Sequence, residues 1–309
     1  QKMHFTLRPE ELEQVRKRFV YEEFFYSQLR WARHKRFHAH ETRGIRFENK
    51  RELTSRLYRE LPFRLTQAQK RVINEIFADM GSERQMSRLL QGDVGSGKTI
   101  VTLFAMLLAV ENGFQAALMA PTEILADQHH ANITRLLKDF PAQVALLKGG
   151  SYKGKAQTKA DISAGSANLI IGTHALLQGD ISFEKLGFVA VDEQHRFGVQ
   201  QRATLARKDK HPDLLYLSAT PIPRSLSLTV FGDLEVSTLN ELPPDRVPVK
   251  TLVRSNQKID LVYREVAREL AAGSQVYVVC PLIEESDKLD LLDAQRMHIH
   301  LSTKVFPQY

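Results

Sequence analysis

The sequence predicts an α/β protein built on a doubly wound, mostly parallel sheet. Three observations predict it. From about Leu61 onward, short apolar runs alternate with helical stretches, the pattern of a parallel sheet covered on both faces. A glycine-rich segment, Gly92-Asp93-Val94-Gly95-Ser96-Gly97-Lys98-Thr99, separates one such run from an apolar helix. A second run ends abruptly in two acids, Asp192-Glu193.

The elements follow in order. Pro9 suits a first helical turn, and Leu12, Val15, Phe19, Tyr26 and Leu29 keep helical spacing, so 9–37 is expected to be one long helix with Trp31 near its basic end. Residues 38–60 show no clear period and are expected to be a linker leading into a short helix. Strands are expected at Arg88–Gln91, Ala116–Met119, Val144–Leu147, Leu169–Gly172, Phe188–Val191 and Leu214–Ser218, with helices at Lys98–Glu111, Glu123–Lys138 and Gln200–Arg207. The rigid, polar turn Leu242-Pro243-Pro244-Asp245, with Pro248 close behind, reads as a domain boundary. Beyond it, a strand at Val249–Val253, a helix at Lys258–Ala271 capped by Gly273, and a strand at Gln275–Cys280 are expected. Three segments follow: 1–60, a helix and basic linker; 61–242, the α/β domain; and 243–309, too short for a second α/β domain.

Composition bounds the function. The chain has 309 residues, 43% hydrophobic and 26% charged, as in ordinary globular protein. Its longest apolar stretch, Ile100 to Val110, is too short to span a bilayer and contains Thr102, so no membrane role is expected. A single cysteine, Cys280, excludes an internal disulfide and a cysteine zinc cluster, and a reducing, cytoplasmic setting fits. Cys280 itself reads as a small buried hydrophobe. The first residue is Gln1 rather than Met, so the chain reads as a piece of a longer one. Net charge is +7, and residues 1–60 carry 15 Lys and Arg against 9 Asp and Glu, or +6. Arg30, Arg33, Lys35, Arg36, Arg43, Arg46, Lys50 and Arg51 form the densest part. Such a stripe suits a polyanion, DNA or RNA, and equally a solvated helix face.

The glycine-rich segment matches the phosphate-binding P-loop pattern. Gly92, Gly95 and Gly97 let the backbone curl so that several N–H groups converge, and the helix that follows adds its positive end. Lys98 can then reach terminal phosphates, and the Thr99 hydroxyl can ligate Mg²⁺. Asp192, at the C-terminal end of its strand, can hold the same ion, and Glu193 can polarise an attacking water. Neighbouring side chains on a strand point opposite ways, so this pair must lie where the strand opens into a loop. His129 and His130 are adjacent on a helix, cannot share one metal, and read as surface residues. His34, His38 and His40 read as part of a basic loop. Lys148-Gly149-Gly150 ends a strand and either presents N–H groups to a phosphate or is a plain turn.

Here the residues resemble a known family, the superfamily two helicases and translocases. Asp192-Glu193-Gln194-His195 resembles their motif II and Ser218-Ala219-Thr220 their motif III. Ala120-Pro121-Thr122-Glu123 and Gly172-Thr173-His174 resemble motifs Ia and Ib, and Leu61-Pro62-Phe63, Leu65-Thr66 and Gln69 the glutamine motif. With the P-loop, six motifs stand in the family's order. The string Asp192 to Val199 is similar to one shared by the RecG family of bacterial ATP-dependent branched-DNA helicases and the transcription–repair coupling translocases. Gln194 with Gln201-Arg202, Pro221-Ile222-Pro223-Arg224 with Glu241-Leu242-Pro243-Pro244, and Cys280 to Ser286 look more like the RecG family, over about residues 61–290.

The resemblance implies a RecA-like fold for 61–242, the start of a second RecA-like domain at 243–309, and a linker from a DNA-splitting wedge region at 1–60. It implies ATP and Mg²⁺ as cofactors. Lys98, Asp192 and Glu193 would be catalytic. Gly92, Gly95, Gly97, Thr99 and Gln69 would bind nucleotide, Gln69 by reading adenine. His195, Ser218 and Thr220 would couple nucleotide state to movement. Pro121, Thr122, Gly149, Thr173 and His174 would contact nucleic acid. The implied partner is branched or double-stranded DNA, engaged by a monomeric motor in the bacterial cytosol, with single-strand-binding protein as a further partner. The family's wedge and its motifs IV to VI are not among these residues, so the chain is expected to bind nucleotide but hydrolyse it poorly. A translocase of the transcription–repair coupling type, an RNA helicase and a nucleotide-binding module without turnover are the alternatives.

Overall fold

A computed structural model of the chain describes residues 9–41, 44–177, 181–192, 211–219, 234–243, 249–280 and 294–309. The chain divides into two compact units, 1–246 and 247–309.

The first unit is organised by a seven-stranded parallel sheet. Its strands are β1 (Ser87–Gly92), β2 (Gln115–Met119), β3 (Val144–Leu147), β4 (Leu169–Gly172), β5 (Leu186–Val191), β6 (Asp213–Ser218) and β7 (Glu235–Leu239). They lie in the order β3-β4-β2-β5-β6-β1-β7. The six expected strands are present, most with one or two residues added at the N-terminal end. Alternation along each strand divides the apolar residues between the two faces. Leu90, Ala116, Leu118, Ile171, Phe188, Ala190 and Leu215 join one buried cluster. Leu89, Ala117, Ile170, Val189, Val191 and Tyr216 join another on the opposite face. Covered on both sides, the strands need no polar face, which explains their continuous apolar character.

The helices are α1 (Pro9–Glu41), α2 (Leu53–Glu60), α3 (Gln67–Met80), α4 (Lys98–Glu111), α5 (Glu123–Leu136) and α6 (Lys155–Ser163). Helix α4 has the expected bounds, and every residue from Ile100 to Ala109 is buried, so it packs in the middle of its layer rather than on one amphipathic stripe. Helix α3 starts with a capping box: the Thr66 hydroxyl accepts from Gln69 N, and the Gln69 side chain accepts from Thr66 N. Helix α1 runs four residues further than its apolar spacing indicated, into 38–41. Its Phe19, Tyr21, Phe24, Phe25, Tyr26 and Leu29 are exposed. Among the described residues no helix is long and apolar enough to cross a membrane.

Strand β7 gave no sequence signal because a polar residue occupies one of its buried positions. Ser237 is 1% exposed. It accepts from Arg88 Nη1 at 2.7 Å and donates to Glu75, and Arg88 also holds Asp79 at 2.8 Å. This network joins α3, β1 and β7.

The second unit contains α7 (Ile259–Ala271) and a short α8 (Ala294–His300), followed by a π-helical turn. The strands expected at Val249–Val253 and Gln275–Cys280 do not form. A strand exists only through backbone bonds to a neighbour, and among the described residues nothing pairs with either segment. Val249, Val253, Tyr277 and Val279 are 81–92% exposed. Cys280 is partly rather than fully buried.

Candidate functional site

The C-terminal edge of the sheet collects the site. Its nucleotide half begins where β1 ends. Gly95 and Gly97 take left-handed backbone angles, φ +81° and +92°, which glycine adopts without steric cost. The turn is held by Ser96 N donating to Asp93 O at 3.1 Å and Val94 N to Asp93 Oδ1 at 2.7 Å. Lys98 Nζ donates to the carbonyls of Gly92 (2.7 Å) and Asp93 (3.0 Å), which places the ammonium over the mouth of the loop. Two glycines are also required by space. A Cβ on Gly97 would come within 2.3 Å of Gln69 Nε2, and one on Gly92 within 2.5 Å of Ser96 Oγ.

Gln69 is drawn into the loop's own structure. Its Nε2 donates to Ser96 O at 2.8 Å while its Oε1 closes the α3 capping box, and the residue is 2% exposed. One end of the amide therefore closes the α3 cap and the other fastens α3 to the P-loop. Ser96 Oγ is enclosed with no partner among the described residues.

Asp192 lies one residue past β5, where the strand opens, as alternation required. β6 separates β5 from β1, so Asp192 and the P-loop stand two strand spacings apart, about 10 Å. A crevice at the C-terminal ends of neighbouring parallel strands is where ligands bind in open α/β sheets. Ser218, 3% exposed, ends β6 between them. The donor set consists of the remaining loop N–H groups, the Lys98 ammonium, the Thr99 hydroxyl and the Asp192 carboxylate. It fits a polyphosphate with a hard divalent cation such as Mg²⁺.

The residues expected to contact nucleic acid, the track half of the edge, lie beyond β5. Leu147 of β3, Gly172 of β4 and Met119 of β2 are in register, so the loops that follow form a row. Gly172 could not carry a side chain, since a Cβ there would lie 2.4 Å from Leu147 O. Pro121 and Thr122 stand at the first of these turns, with Thr122 capping α5 by accepting from Leu125 N at 3.3 Å. Gly149 lies beside them, its Cβ direction 3.2 Å from Glu123 Oε1 and 4.0 Å from His174 Cε1. Of the Thr173-His174 pair, only His174 faces solvent. Thr173 is 1% exposed, with its Oγ1 enclosed and without a partner among the described residues. Lys148, next to Gly149, pairs with Asp127 of α5 at 3.0 Å.

His129 corrects the sequence reading. It is no surface residue: its Nε2 lies 3.0 Å from Asp192 Oδ2, and the two side chains are 12% and 14% exposed. The signal was present in the spacing. Ala126, His129 and Ile133 share one face of α5, and Ala126 and Ile133 are fully buried. Glu193, His195 and Thr220 lie outside the described residues, as do Gln194, Gln201-Arg202, the Pro221 to Arg224 string, Pro281 to Ser286 and the helix expected at Gln200–Arg207.

Comparison with known proteins agrees with this geometry. The chain is 46% identical over 308 residues to the ATP-dependent DNA helicase RecG of Synechocystis sp., covering 99% of this chain and 37% of that protein. It is 45% identical over 302 residues to RecG of Bacillus subtilis, covering 97% of this chain and 44% of that one. The chain thus spans less than half the length of the curated relatives it matches. A solved structure of RecG bound to a three-way DNA junction superposes with a TM-score of 0.83 at 41% identity, covering 99% of this chain and 40% of that chain. Residues 66–228 match the DEAD/DEAH box helicase family, from the cap of α3 past β6. That match takes in more than half of the chain, which belongs to the DEAD/DEAH box helicase family.

Proposed function

We propose that the chain is the ATP-binding part of a DNA motor that acts on branched DNA, as its similarity to RecG suggests. The observation that carries the reading is one sheet edge holding a P-loop two strands from Asp192 and, on the other side of Asp192, a row of three turns. In this reading the P-loop N–H groups and Lys98 hold the phosphates, and Thr99 and Asp192 hold Mg²⁺. The ion, when bound, neutralises charge developing on the phosphates. Glu193 serves as the base, Gln69 acts through the P-loop it braces rather than through its own amide, and Ser218, Thr220 and His195 carry the nucleotide state onward. Pro121, Thr122, Gly149 and His174 contact backbone phosphates without reading sequence, so binding should weaken steeply with salt. A monomeric motor in the cytoplasm, with single-strand-binding protein as a partner, completes the proposal.

The test is nucleotide and nucleic-acid binding by the chain. Mg²⁺-dependent binding of an ATP analogue that Lys98→Ala abolishes, with forked DNA preferred over linear duplex and single-stranded RNA, is the expected result. Equal affinity for forked and linear duplex would favour a general double-strand translocase. Preference for RNA would overturn the choice of substrate.

A further inference from the structure

We infer that His129 is a positioning residue that links the DNA-facing loop before α5 to the metal-binding carboxylate. The inference rests on the division of the sheet edge proposed above and adds a mechanical joint between its halves.

Asp192 is held at two points by a single β2–loop–α5 unit. Its backbone N–H donates to Met119 O at 2.8 Å, at the last residue of β2. Its Oδ2 accepts from His129 Nε2 at 3.0 Å, on α5. Between these two anchors in the chain lie Pro121 and Thr122, the residues placed at the DNA backbone. Thr122 caps α5, and His129 follows it by seven residues, two helical turns along the same face. A helix transmits a shift of its first turn to its second as a nearly rigid body. Contact at Pro121-Thr122 therefore cannot move α5 without moving the hydrogen bond that orients Asp192.

The contact is enclosed enough to matter. Both side chains are nearly buried, so water competes weakly and the geometry is retained. The bond commits Oδ2 and fixes the rotation of the carboxylate, the task that outer partners of a metal ligand perform. His129 need not touch nucleotide to act. Its neighbour His130 has no such partner among the described residues and serves as the internal control.

The experiment measures binding of a fluorescent, non-hydrolysable ATP analogue to the 309-residue chain, with Mg²⁺ or EDTA, and with or without forked DNA. Forked DNA should tighten Mg²⁺-nucleotide binding at least about fivefold in the unsubstituted chain, the lower end of ordinary coupling between sites. In His129→Ala the DNA effect should fall below about twofold, while nucleotide affinity in EDTA and DNA affinity without nucleotide are retained. His129→Gln, which keeps an N–H donor of similar reach, should recover most of the effect, and His130→Ala should leave it intact. The inference is overturned if His129→Ala keeps the full DNA effect. It is also overturned if both His129 variants lose nucleotide binding in EDTA, or if the unsubstituted chain binds both ligands without coupling. A chain that binds neither nucleotide nor DNA would instead remove the functional reading on which the inference depends.

Discussion

The two halves of the sheet edge are built on opposite plans. The nucleotide half draws most of its groups from one contiguous stretch, Gly92 to Thr99, whose backbone is fixed by left-handed glycines and by Gln69 pressed against Gly97. The track half has no such stretch. It is assembled from three turns, near residues 122, 149 and 173, that meet only because β2, β4 and β3 are neighbours in register. A phosphate cradle needs several N–H groups aimed at one point, which one short loop can do. A surface that follows a strand backbone needs spaced contacts, which the 4.7–4.9 Å interval between strands supplies. Local conformation makes the first half, and sheet order makes the second.

Substitutions can break this comparison or sharpen it. The largest effect is expected at Gly97. An alanine there meets Gln69 at 2.3 Å on a left-handed backbone. Strain of about 1–3 kcal/mol from that backbone angle alone predicts a loss of nucleotide affinity of roughly 10- to 100-fold. DNA affinity measured without nucleotide should hold, since the track half does not use this loop. Equal loss of both ligands would show that the halves are not separable.

A smaller effect is expected from Lys148→Ala in the other half. Removing one cation beside Gly149 should weaken DNA binding and lower the slope of log affinity against log salt by about 1, with nucleotide affinity unchanged. An unchanged salt slope would take Lys148 off the DNA path and leave its pair with Asp127 as its whole role.

The smallest effect is expected beneath both halves, at the start of β6. Asp213 is fully buried, its Oδ1 accepting from Met86 N at 2.6 Å and its Oδ2 without a partner among the described residues. Burial pushes its carboxyl well above the usual range, against the opposing Met86 hydrogen bond and with some help from Asp79. The folded state therefore holds this proton more tightly than the unfolded chain, and stability falls as pH rises from the ordinary carboxylate range through the folded value. Asp213→Asn keeps the acceptor for Met86 and cannot ionise. Its denaturation midpoint should exceed that of the parent at about pH 8, and the gain should shrink toward about pH 4. Both binding affinities should stay put. A gain that does not vary with pH would mean the carboxyl keeps its ordinary titration.

The contrast between the halves also decides what the sequence could reveal. The P-loop was legible because its chemistry dictates residue types at fixed spacing, and α4 was legible to the residue because it is apolar on every side. Asp192 stood out because an acid pair closes an apolar strand in a chain that also carries a P-loop upstream. His129 was missed because its partner is 63 residues away, and only its place on the buried face of α5 hinted at a role. Strand β7 was missed because Ser237, a polar residue, fills a core position by satisfying Arg88 and Glu75. The two strands expected beyond residue 248 were read from apolar content alone, which describes half of a pair and says nothing of the other half. The row of turns was read mostly by resemblance; only Lys148-Gly149-Gly150 was read from its own residues, and there a plain turn stood equally open.

The order of the strands has a consequence for synthesis. β1, which carries the P-loop, pairs with β6 and β7, so its two neighbours begin at residues 213 and 235, more than 120 residues after Ser87. At about 5–20 residues per second on the ribosome, that separation is a wait of roughly 6 to 30 seconds. Throughout it, β1 has no partner and α4, apolar on all sides, has only part of its cover. The nascent chain thus presents its most aggregation-prone surface at the moment its nucleotide loop has already been made. A holdase that recognises short apolar segments would find its best target there, and slowing translation beyond Glu111 would be expected to cost soluble yield.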